Sequence, residues 1–426
     1  MYLQKVVIEN IKSIHHIEMD FKKPAGWHVL IGDNGSGKSS IIRSVALALV
    51  GPEQALGLRA DWGDWLNRNS ETGRIKLSLK VSPGDQRANI PGKASSNVLI
   101  PNELEFRRSN GSVALSTPAI RQASKDPWNH NWGERKGWFS VAYGPYRRFV
   151  GGNPEWTKVF YSLPRLGAHL SAFGEDVALT EAIDWLVKLN YELLEKKSSG
   201  QILHDIKTFV NSPDFLPHGV KIDSVSSEGV KFVDGYGSKI HVNQMSDGYR
   251  SILSLTFELI RQLIRVYGDN AVFKNIRRQN MIIDLSGVVL IDEIDAHLHP
   301  TWQTRIGKWF TQYFPNIQFI VTTHSPLVCR ASDKGTIWRL AAPGSSMPSG
   351  EVIGIERERL IYGNVLDAYG TEIFGSQVSV NLDSVDMKEE LVRLSKLKMA
   401  GRTTEKENSR FNELKSTFST DDSLEL

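Results

Sequence analysis

One segment constrains the fold of this chain more than any other, the run GDNGSGKS at residues 32–39. It fits the pattern G-x-x-x-x-G-K-[ST] and lies between a predicted strand, Trp27–Ile31, and a predicted apolar helix, Ser40–Val50. Glycines at this spacing let successive backbone N–H groups turn inward, so that they form an anion nest at the positive end of the helix. The segment therefore predicts a phosphate-binding loop.

The same loop predicts roles for its individual residues. We expect Lys38 to reach the β- and γ-phosphates of a nucleotide as a point charge, and the Ser39 hydroxyl to bind Mg²⁺. The other residues of the loop that we expect to contact the nucleotide are Gly32, Asn34, Gly35, Ser36, Gly37 and Ser40.

A second segment, VVLIDE at residues 288–293, places two carboxylates directly after four apolar residues. This pattern is typical of a buried strand that delivers acidic side chains to its C-terminal end, where α/β sheets bind ligands. We expect Asp292 to contribute to the Mg²⁺ shell. Glu293 points elsewhere and suits a base that orients an attacking water.

Two further segments complete an ordered series. Ser246, Asp247 and Gly248 precede a predicted helix, Tyr249–Tyr267, so they form a second anion site at a helix N-terminus. A predicted strand, Phe319–Thr322, leads to His324. A lone histidine at the end of a strand is usually structural, but its place as the fourth member of this series favours a functional role.

The series resembles the ABC-type ATPases, and the segment MSDGYR at 245–250 is similar to the signature of the branch that contains the structural-maintenance-of-chromosomes (SMC), Rad50 and RecF proteins. The resemblance implies ATP and Mg²⁺ as ligands. It also implies a dimer in which one subunit's phosphate loop and the other subunit's signature segment enclose the γ-phosphate. His324 would contact that phosphate and the attacking water, and Asp295 matches the loop that crosses the dimer interface.

Three absences narrow the resemblance. In ABC-type ATPases a glutamine at the boundary between the two lobes contacts Mg²⁺. The corresponding region here, residues 141–149, contains no glutamine, which puts fast hydrolysis in doubt. Residues 39–245 contain no sustained heptads, which excludes long coiled-coil arms. The residues after His324 lack the paired acidic motif of a TOPRIM nuclease, so the chain resembles the ATPase head of the overcoming-lysogenization-defect nucleases without their nuclease domain.

Three segments point to a narrower resemblance: AYGPYR at 142–147, DEIDAHLHPTWQ at 292–303 and YGNVL at 362–366. They are similar to the stand-alone ATPase subunits of bacterial anti-phage systems, notably Septu, which also occur beside some retrons. This resemblance implies a separate HNH-type nuclease as the partner.

The coarse pattern is α/β. We predict an ABC-ATPase head with a parallel-sheet core, an antiparallel β-subdomain, a helical lobe and a helical C-terminal tail. Further expected elements are a hairpin over Leu104–Leu115 that turns at Asn110-Gly111, a surface excursion over Ser82–Asn102, and helices over Ala182–Val210 broken near Gly200.

We expect the chain to divide into five parts. These are 1–81 with the phosphate loop, 82–138 with the hairpin and a Trp-rich loop, 139–240 with the helical lobe and returning strands, 241–345 with the signature, acidic strand end and histidine, and 346–426 as the tail.

Bulk properties exclude other classes of protein. The net charge of +3 permits a nucleic-acid partner without arguing for one. A single cysteine, Cys329, excludes an intramolecular disulfide framework and fits a reducing compartment, so we expect a cytoplasmic protein. No run of 18 apolar residues occurs, so we expect no membrane span.

Three regions have open interpretations. The stretch Arg121–Trp138 mixes cations with three tryptophans, which suits DNA, although buried tryptophans that anchor a loop are the preferred interpretation. His297 and His299 lack partners at zinc spacing, so metal ligation is disfavoured. The stretch Met387–Phe418 predicts either a partner-binding helical hairpin or a solvated tail.

Three functions remain open at this point. The favoured one is an ATP-dependent regulatory or motor subunit of a DNA-directed defence or repair assembly, with a RecF-like repair role as its variant. The second is a transporter ATPase, which the signature and the charged tail disfavour. The third is a nucleotide sensor that binds ATP without hydrolysing it.

Overall fold

A computed structural model describes residues 1–59, 61–86, 99–133, 136–145, 162–174, 181–341, 344, 348–363, 383–399 and 403–418. The chain forms two units, Met1–Tyr362 and Gly363–Leu426. Among the residues that the structure describes, no helix has both the length and the apolar character that are needed to cross a membrane.

The strands of the first unit are, in chain order, β1 (Tyr2–Ile11), β2 (Ile14–Asp20), β3 (Gly26–Gly32), β4 (Thr72–Lys80), β5 (Leu99–Ser109), β6 (Ser112–Ser116), β7 (Ser140–Tyr143), β8 (Lys221–Ser226), β9 (Gly229–Val233), β10 (Lys239–His241), β11 (Gly287–Ile291), β12 (Ile317–Thr323), β13 (Ile337–Leu340) and β14 (Gly350–Glu351). The helices are α1 (Lys38–Val50), α2 (Pro52–Ala55), α3 (Pro164–His169), α4 (Glu181–Leu194), α5 (Gln201–Val210), α6 (Asp247–Tyr267), α7 (Asp269–Val272), α8 (Pro300–Tyr313) and α9 (Gly354–Tyr362).

The core is a mainly parallel sheet with the strand order β14-β13-β3-β12-β11-β7. Neighbouring strands from β13 to β7 pair in parallel, and β14 joins the edge in the antiparallel direction. Every residue of β11 and β12 is buried, because helices cover both faces of a parallel sheet. On one face Phe310 of α8 stacks on Trp27 at 6.1 Å between ring centroids.

Helix α1 covers the other face and lies under a second sheet, which is antiparallel with the order β2-β1-β4-β5-β6. The apolar residues of α1 therefore pack in two directions. Ile41 and Val45, for example, belong to one buried cluster with Leu77 of β4 and Leu290 of β11. Burying one helix between two sheets fixes the position of its N-terminus, where the phosphate loop ends.

The helical lobe comprises α3 to α7, with a small sheet of order β10-β9-β8 beside it. Helix α6 begins after Ser246, whose side chain makes no capping hydrogen bond, and it ends before Gly268, whose φ is 80°. The described residues of the second unit form two helices, α10 (Asp383–Met399) and α11 (Glu405–Phe418), which pack against each other. Leu394 and Leu414 are buried, and Arg410 forms an ion pair with Glu390 at 3.2 Å.

The architecture confirms the predicted fold class: a parallel-sheet core, an antiparallel β-subdomain and a helical lobe. The predicted hairpin is confirmed, since β5 and β6 flank a turn with φ of 48° at Asn110 and 81° at Gly111. The helix break near Gly200 is also confirmed, as α4 ends at Leu194 and α5 begins at Gln201.

Two predicted boundaries differ from the observed ones. Within the predicted excursion 82–102, residues 87–98 lie outside the described residues, but Leu99 already belongs to β5 because it pairs with Lys80 of β4. The predicted tail begins at residue 346, whereas β14 and α9 belong to the first unit. Strand β14 is held there by Glu351, which pairs with Trp338 of β13.

The Trp-rich loop contains two structural anchors. Trp132 is 1% exposed, and its Nε1 donates to the carbonyl of Ala48 in α1 at 3.0 Å. Trp138 is also buried, and its Nε1 donates to the carbonyl of Gln86 at 2.6 Å. Trp128 is 37% exposed and meets Trp132 edge to face at 5.6 Å. The buried-anchor interpretation therefore describes two of the three tryptophans.

We predict that Trp132→Ala lowers the free energy of unfolding by about 3–5 kcal/mol, because it opens a large cavity against α1. Trp128→Ala is the matched control and should cost only about 1 kcal/mol, mainly from the lost ring pair. Urea denaturation followed by circular dichroism measures both values. Equal losses for the two variants would contradict the anchoring role of Trp132.

Candidate active site

The phosphate-binding loop connects β3 to α1. Gly35 and Gly37 have φ of 78° and 95°, which glycine adopts without strain. A Cβ at Gly32 would lie 2.6 Å from the carbonyl oxygen of Leu340 and 2.8 Å from Ser36 Oγ. Ser36 Oγ is itself buried and has no hydrogen-bond partner among the described residues. The loop is thus a tight cradle with an available polar atom.

Lys38, the first residue of α1, is 6% exposed and turns back over the loop. Its Nζ donates to the carbonyl oxygens of Gly32 at 2.7 Å and Asp33 at 2.9 Å. These bonds hold the ammonium group above the nest, in the position from which it can exchange carbonyl partners for phosphate oxygens.

The charge around Lys38 comes from the ends of β3 and β11. Burial lowers the pKa of Lys38 from its ordinary value, and the carboxylates of Asp292, Glu293, Asp33 and Asp295 act in the opposite direction. The site therefore combines one buried ammonium group with several carboxylates, a balance that suits a bound cation together with an anionic ligand.

The acidic end of β11 is organised by Thr322 of β12, a residue to which the sequence patterns assigned no role. Asp292 is buried, and Thr322 Oγ1 donates to its Oδ1 at 2.6 Å. The backbone N–H of Glu293 donates to the same hydroxyl at 2.7 Å. Glu293 has a φ of 48°, so the extended conformation of the strand ends here and the chain turns sharply. The available signal was a hydroxyl residue near the end of a strand predicted to lie beside β11.

Asp295 and His324 lie together. The backbone N–H of His324 donates to Asp295 Oδ2 at 3.3 Å, and Asp295 Oδ1 is buried without a hydrogen-bond partner among the described residues. The His324 side chain is exposed at the end of β12. Both residues therefore lie at the same edge of the sheet as the phosphate loop.

Strand β7 ends beside Asp292, whose backbone N–H donates to the carbonyl of Tyr143 at 2.8 Å. The region in which the sequence lacks a glutamine therefore begins next to the acidic strand end. Its residues 141–145 are described and contain no glutamine, while residues 146–149 lie outside the described residues.

The signature residues lie elsewhere on the same chain. Ser246 is exposed, and its side chain makes no capping hydrogen bond to α6. Asp247 forms an ion pair with Arg250 one turn along the helix. Ser246, Asp247 and Gly248 line a cavity of about 1030 Å³, and none of residues 32–40 lines it. The structure thus brings together the phosphate loop, Asp292, Glu293, Asp295 and His324, and it places Ser246, Asp247 and Gly248 at a second site.

His297 and His299 line that second cavity with Gly248. His299 is the N-cap of α8, because its Nδ1 accepts a hydrogen bond from the backbone N–H of Thr301 at 3.4 Å. This gives His299 a structural role at the start of a helix.

Mg²⁺ fits the residues at the sheet edge. The described part of the chain contains no group of three or more His, Cys, Asp or Glu side chains suited to a metal ion. Mg²⁺ ordinarily takes one or two protein ligands and completes its shell with phosphate oxygens and water. Ser39 at the start of α1 and Asp292 at the end of β11 supply a donor set of that kind.

Two family models match parts of the chain. Residues 5–213 match a family model described as "AAA domain", and residues 161–330 match one described as "AAA domain, putative AbiEii toxin, Type IV TA system". Together with the phosphate loop and the acidic strand end, these matches make the chain similar to ATPases that contain an AAA domain.

Three curated relatives have more specific names than the family models. The chain is 27% identical to the Septu protein PtuA of Bacillus mycoides, over 79% of this chain and 40% of that protein. It is 27% identical to the Retron Ec83 probable ATPase of Escherichia coli (78% and 70% covered) and 26% identical to the Retron Vc95 probable ATPase of Vibrio cholerae (77% and 74%). The chain therefore resembles the ATPases of Septu and retron systems, and it spans less than half of the Septu protein's length.

Among solved structures, the SMC head domain from Thermotoga maritima matches with a TM-score of 0.42 and 15% identity, covering 83% of this chain and all of that one. An SMC head bound to the C-winged helix domain of ScpA matches with a TM-score of 0.44 and 17% identity, covering 84% of this chain and 99% of that one.

We predict that Lys38→Ala weakens ATP binding about tenfold or more, since a lost hydrogen bond to a charged group costs about 1.5–3 kcal/mol and each 1.4 kcal/mol is about a factor of ten. Isothermal titration calorimetry measures the affinity. Lys308→Ala, which removes an exposed lysine on α8, is the control and should bind as the parent does. Unchanged affinity in Lys38→Ala would contradict the assignment of the loop.

Proposed function

We propose that the chain binds MgATP at the sheet edge and hydrolyses it. The observation that carries this proposal is the convergence of three parts: Lys38 over the loop, Asp292 and Glu293 at the end of β11, and His324 at the end of β12. The three parts follow three neighbouring strands, because the loop that carries Lys38 follows β3, and β12 pairs in parallel with both β3 and β11. The carboxylates of Asp292 and Glu293 also act on the pKa of Lys38, which supports their nearness to the loop.

Each residue then has a distinct task. The backbone N–H groups of the loop and Lys38 hold the phosphates. Ser39 and Asp292 would hold Mg²⁺, which when bound offsets the negative charge of the phosphates. Glu293 orients a water and accepts its proton at the carboxylate, while His324 contacts the γ-phosphate from the neighbouring strand. Without a glutamine at the end of β7, we expect turnover to be slow.

Hydrolysis, as we propose it, requires two copies of the chain. The signature residue Ser246 lines a cavity separate from the phosphate loop, so one chain presents two incomplete halves of a site. Two copies in a symmetric dimer would bring each loop against the other copy's signature. The hydroxyl of Ser246, which is exposed and makes no capping hydrogen bond, would then face the phosphate together with the N-terminus of α6.

We predict complementation between two inactive variants. Lys38→Ala disables the loop and Ser246→Arg blocks the signature, so each variant alone should be inactive. An equal mixture should recover about a quarter of the parental rate, because about half of the dimers are mixed and each mixed dimer has one intact site. Phosphate release measures the rate, and native mass spectrometry confirms the mixed dimer.

Failure of the mixture despite confirmed mixed dimers would show that the two halves do not work in trans. If the parent chain itself releases no phosphate but binds ATP, the chain is a nucleotide sensor.

The biological role that we propose is in anti-phage defence, as the resemblance to Septu and retron ATPases implies. An ATPase head acts on other molecules by presenting different surfaces in its different nucleotide states. We propose that this chain holds a separate HNH-type nuclease and controls its access to DNA by nucleotide state. Such control requires that the nuclease bind the ATP-loaded and ATP-free forms with different affinity.

We predict that a complex purified after co-expression with an HNH-type nuclease from a neighbouring gene cleaves DNA in an ATP-dependent manner. Cleavage should change about fivefold or more across an ATP titration, the usual lower range for coupling between sites. The Lys38→Ala complex should lose this dependence and retain the nuclease. Absence of a co-purifying nuclease, or cleavage that ignores both ATP and Lys38→Ala, would instead favour a RecF-like repair role.

A further inference from the structure

The hydroxyl of Thr322 joins the two strands that carry the acidic end and the histidine. Thr322 is fully buried, with 0% exposure, and lies at the penultimate position of β12. Strands β11 and β12 pair in parallel register up to Ile291 and Val321. The next residue on each strand is therefore Asp292 on β11 and Thr322 on β12, which places the hydroxyl beside the carboxylate.

The directions of the hydrogen bonds at this hydroxyl are fixed by chemistry. The backbone N–H of Glu293 only donates, so Oγ1 accepts that bond at 2.7 Å. The single hydroxyl hydrogen of Thr322 is then available for Asp292 Oδ1 at 2.6 Å. The carbonyl oxygen of Thr322 also accepts a bond from the N–H of Ile294 at 3.0 Å. One residue thus binds three consecutive residues at the end of β11.

These hydrogen bonds hold the two residues that carry the carboxylates, Asp292 and Glu293. Glu293 has a φ of 48°, a left-handed conformation that a residue with a Cβ disfavours. Its N–H is held by Thr322 Oγ1, so the same hydroxyl stabilises the turn and orients the Asp292 carboxylate. The turn lies at Glu293 itself, so it bears on how the Glu293 side chain leaves the backbone.

We infer that Thr322 is a positioning residue that sets the Asp292 carboxylate for Mg²⁺ and the backbone turn that directs Glu293. The inference rests on the proposed function of the site, and it goes beyond it by giving a role to a residue that the sequence patterns left without one. Threonine suits the position because it is β-branched, which favours a strand, and because its hydroxyl both donates and accepts.

The test compares Thr322→Val with Thr322→Ser. Valine keeps the shape of the side chain and removes both hydrogen bonds of the hydroxyl, whereas serine keeps the hydroxyl. Thr256→Val is the matched control, because Thr256 is equally buried and its hydroxyl donates only to the carbonyl of Ile252, within α6. Glu293→Gln is the reference for a variant that loses the base.

Two readouts separate positioning from packing. Calorimetry measures ATP affinity with Mg²⁺ and with EDTA, and phosphate release gives kcat and KM. In Thr322→Val we expect metal-free affinity to stay near the parental value, the gain in affinity from Mg²⁺ to fall about tenfold, and kcat to fall about 10–100-fold, as is usual for residues that orient metal ligands. Thr322→Ser should recover most of both losses. Glu293→Gln should lose kcat and keep the gain from Mg²⁺.

The inference is overturned if Thr322→Val keeps both the gain from Mg²⁺ and kcat near the parental values, or if Thr322→Ser is as impaired as Thr322→Val. Should Thr322→Val not fold, as judged by circular dichroism, Thr322→Ala replaces it with the same expectations. If the parent binds MgATP without turnover, the proposal of hydrolysis fails, and the gain in affinity from Mg²⁺ alone decides the role of Thr322.

Discussion

The parallel register of three central strands is the constraint on which the rest of this structure depends. Strand β12 pairs with β3 through Thr323 and Ile31, and with β11 through Val321 and Ile291. The loop, the acidic end and His324 therefore leave the sheet at one level. A slip of two residues along one strand would move its end by about 6–7 Å, and a slip of one would turn its side chains to the opposite face. The complete burial of β11 and β12 disfavours a slip by one residue and a slip by two, because either slip would expose apolar residues or bury polar ones.

Helix α1 transmits this constraint to the phosphate loop. Its apolar residues pack on the parallel sheet and on the antiparallel sheet, so its first turn has little freedom to move. The turn between β1 and β2 adds a second restraint from above. A Cβ at Gly37 would lie 3.2 Å from Ile14 Cγ1 and 3.4 Å from Ser13 Oγ. Gly37 is thus required both by its left-handed φ and by the close approach of this turn.

Local patterns in the sequence predicted the parts of the fold that depend on neighbours along the chain. The buried strands β3, β11 and β12 follow from apolar runs, and the hairpin between β5 and β6 follows from Asn110-Gly111. The loop and the acidic end were recognisable because their chemistry requires fixed spacing. The start of β5 at Leu99 was not, since its partner Lys80 is distant in sequence. The role of the Thr322 hydroxyl could not be predicted either, because its partners Asp292 and Glu293 are brought beside it only by the pairing of β11 with β12.

The segment 292–299 links the two halves of the proposed composite site. It begins at Asp292 on the phosphate edge and passes Asp295, which is bonded to the N–H of His324. It then reaches His297, whose carbonyl oxygen would lie 3.3 Å from a Cβ at Gly248 in the signature. A displacement at the phosphate edge therefore has a short route to the signature of the same chain, along the backbone to His297 and across its contact with Gly248. Packed routes of this kind transmit a change only where the segment has two discrete arrangements. The left-handed φ of 64° at His297 marks a residue that gains freedom if its surroundings change. In the dimer that we propose, the nucleotide held by one copy's loop would bias the signature that the same copy offers to its partner, so the two sites would be coupled through this segment.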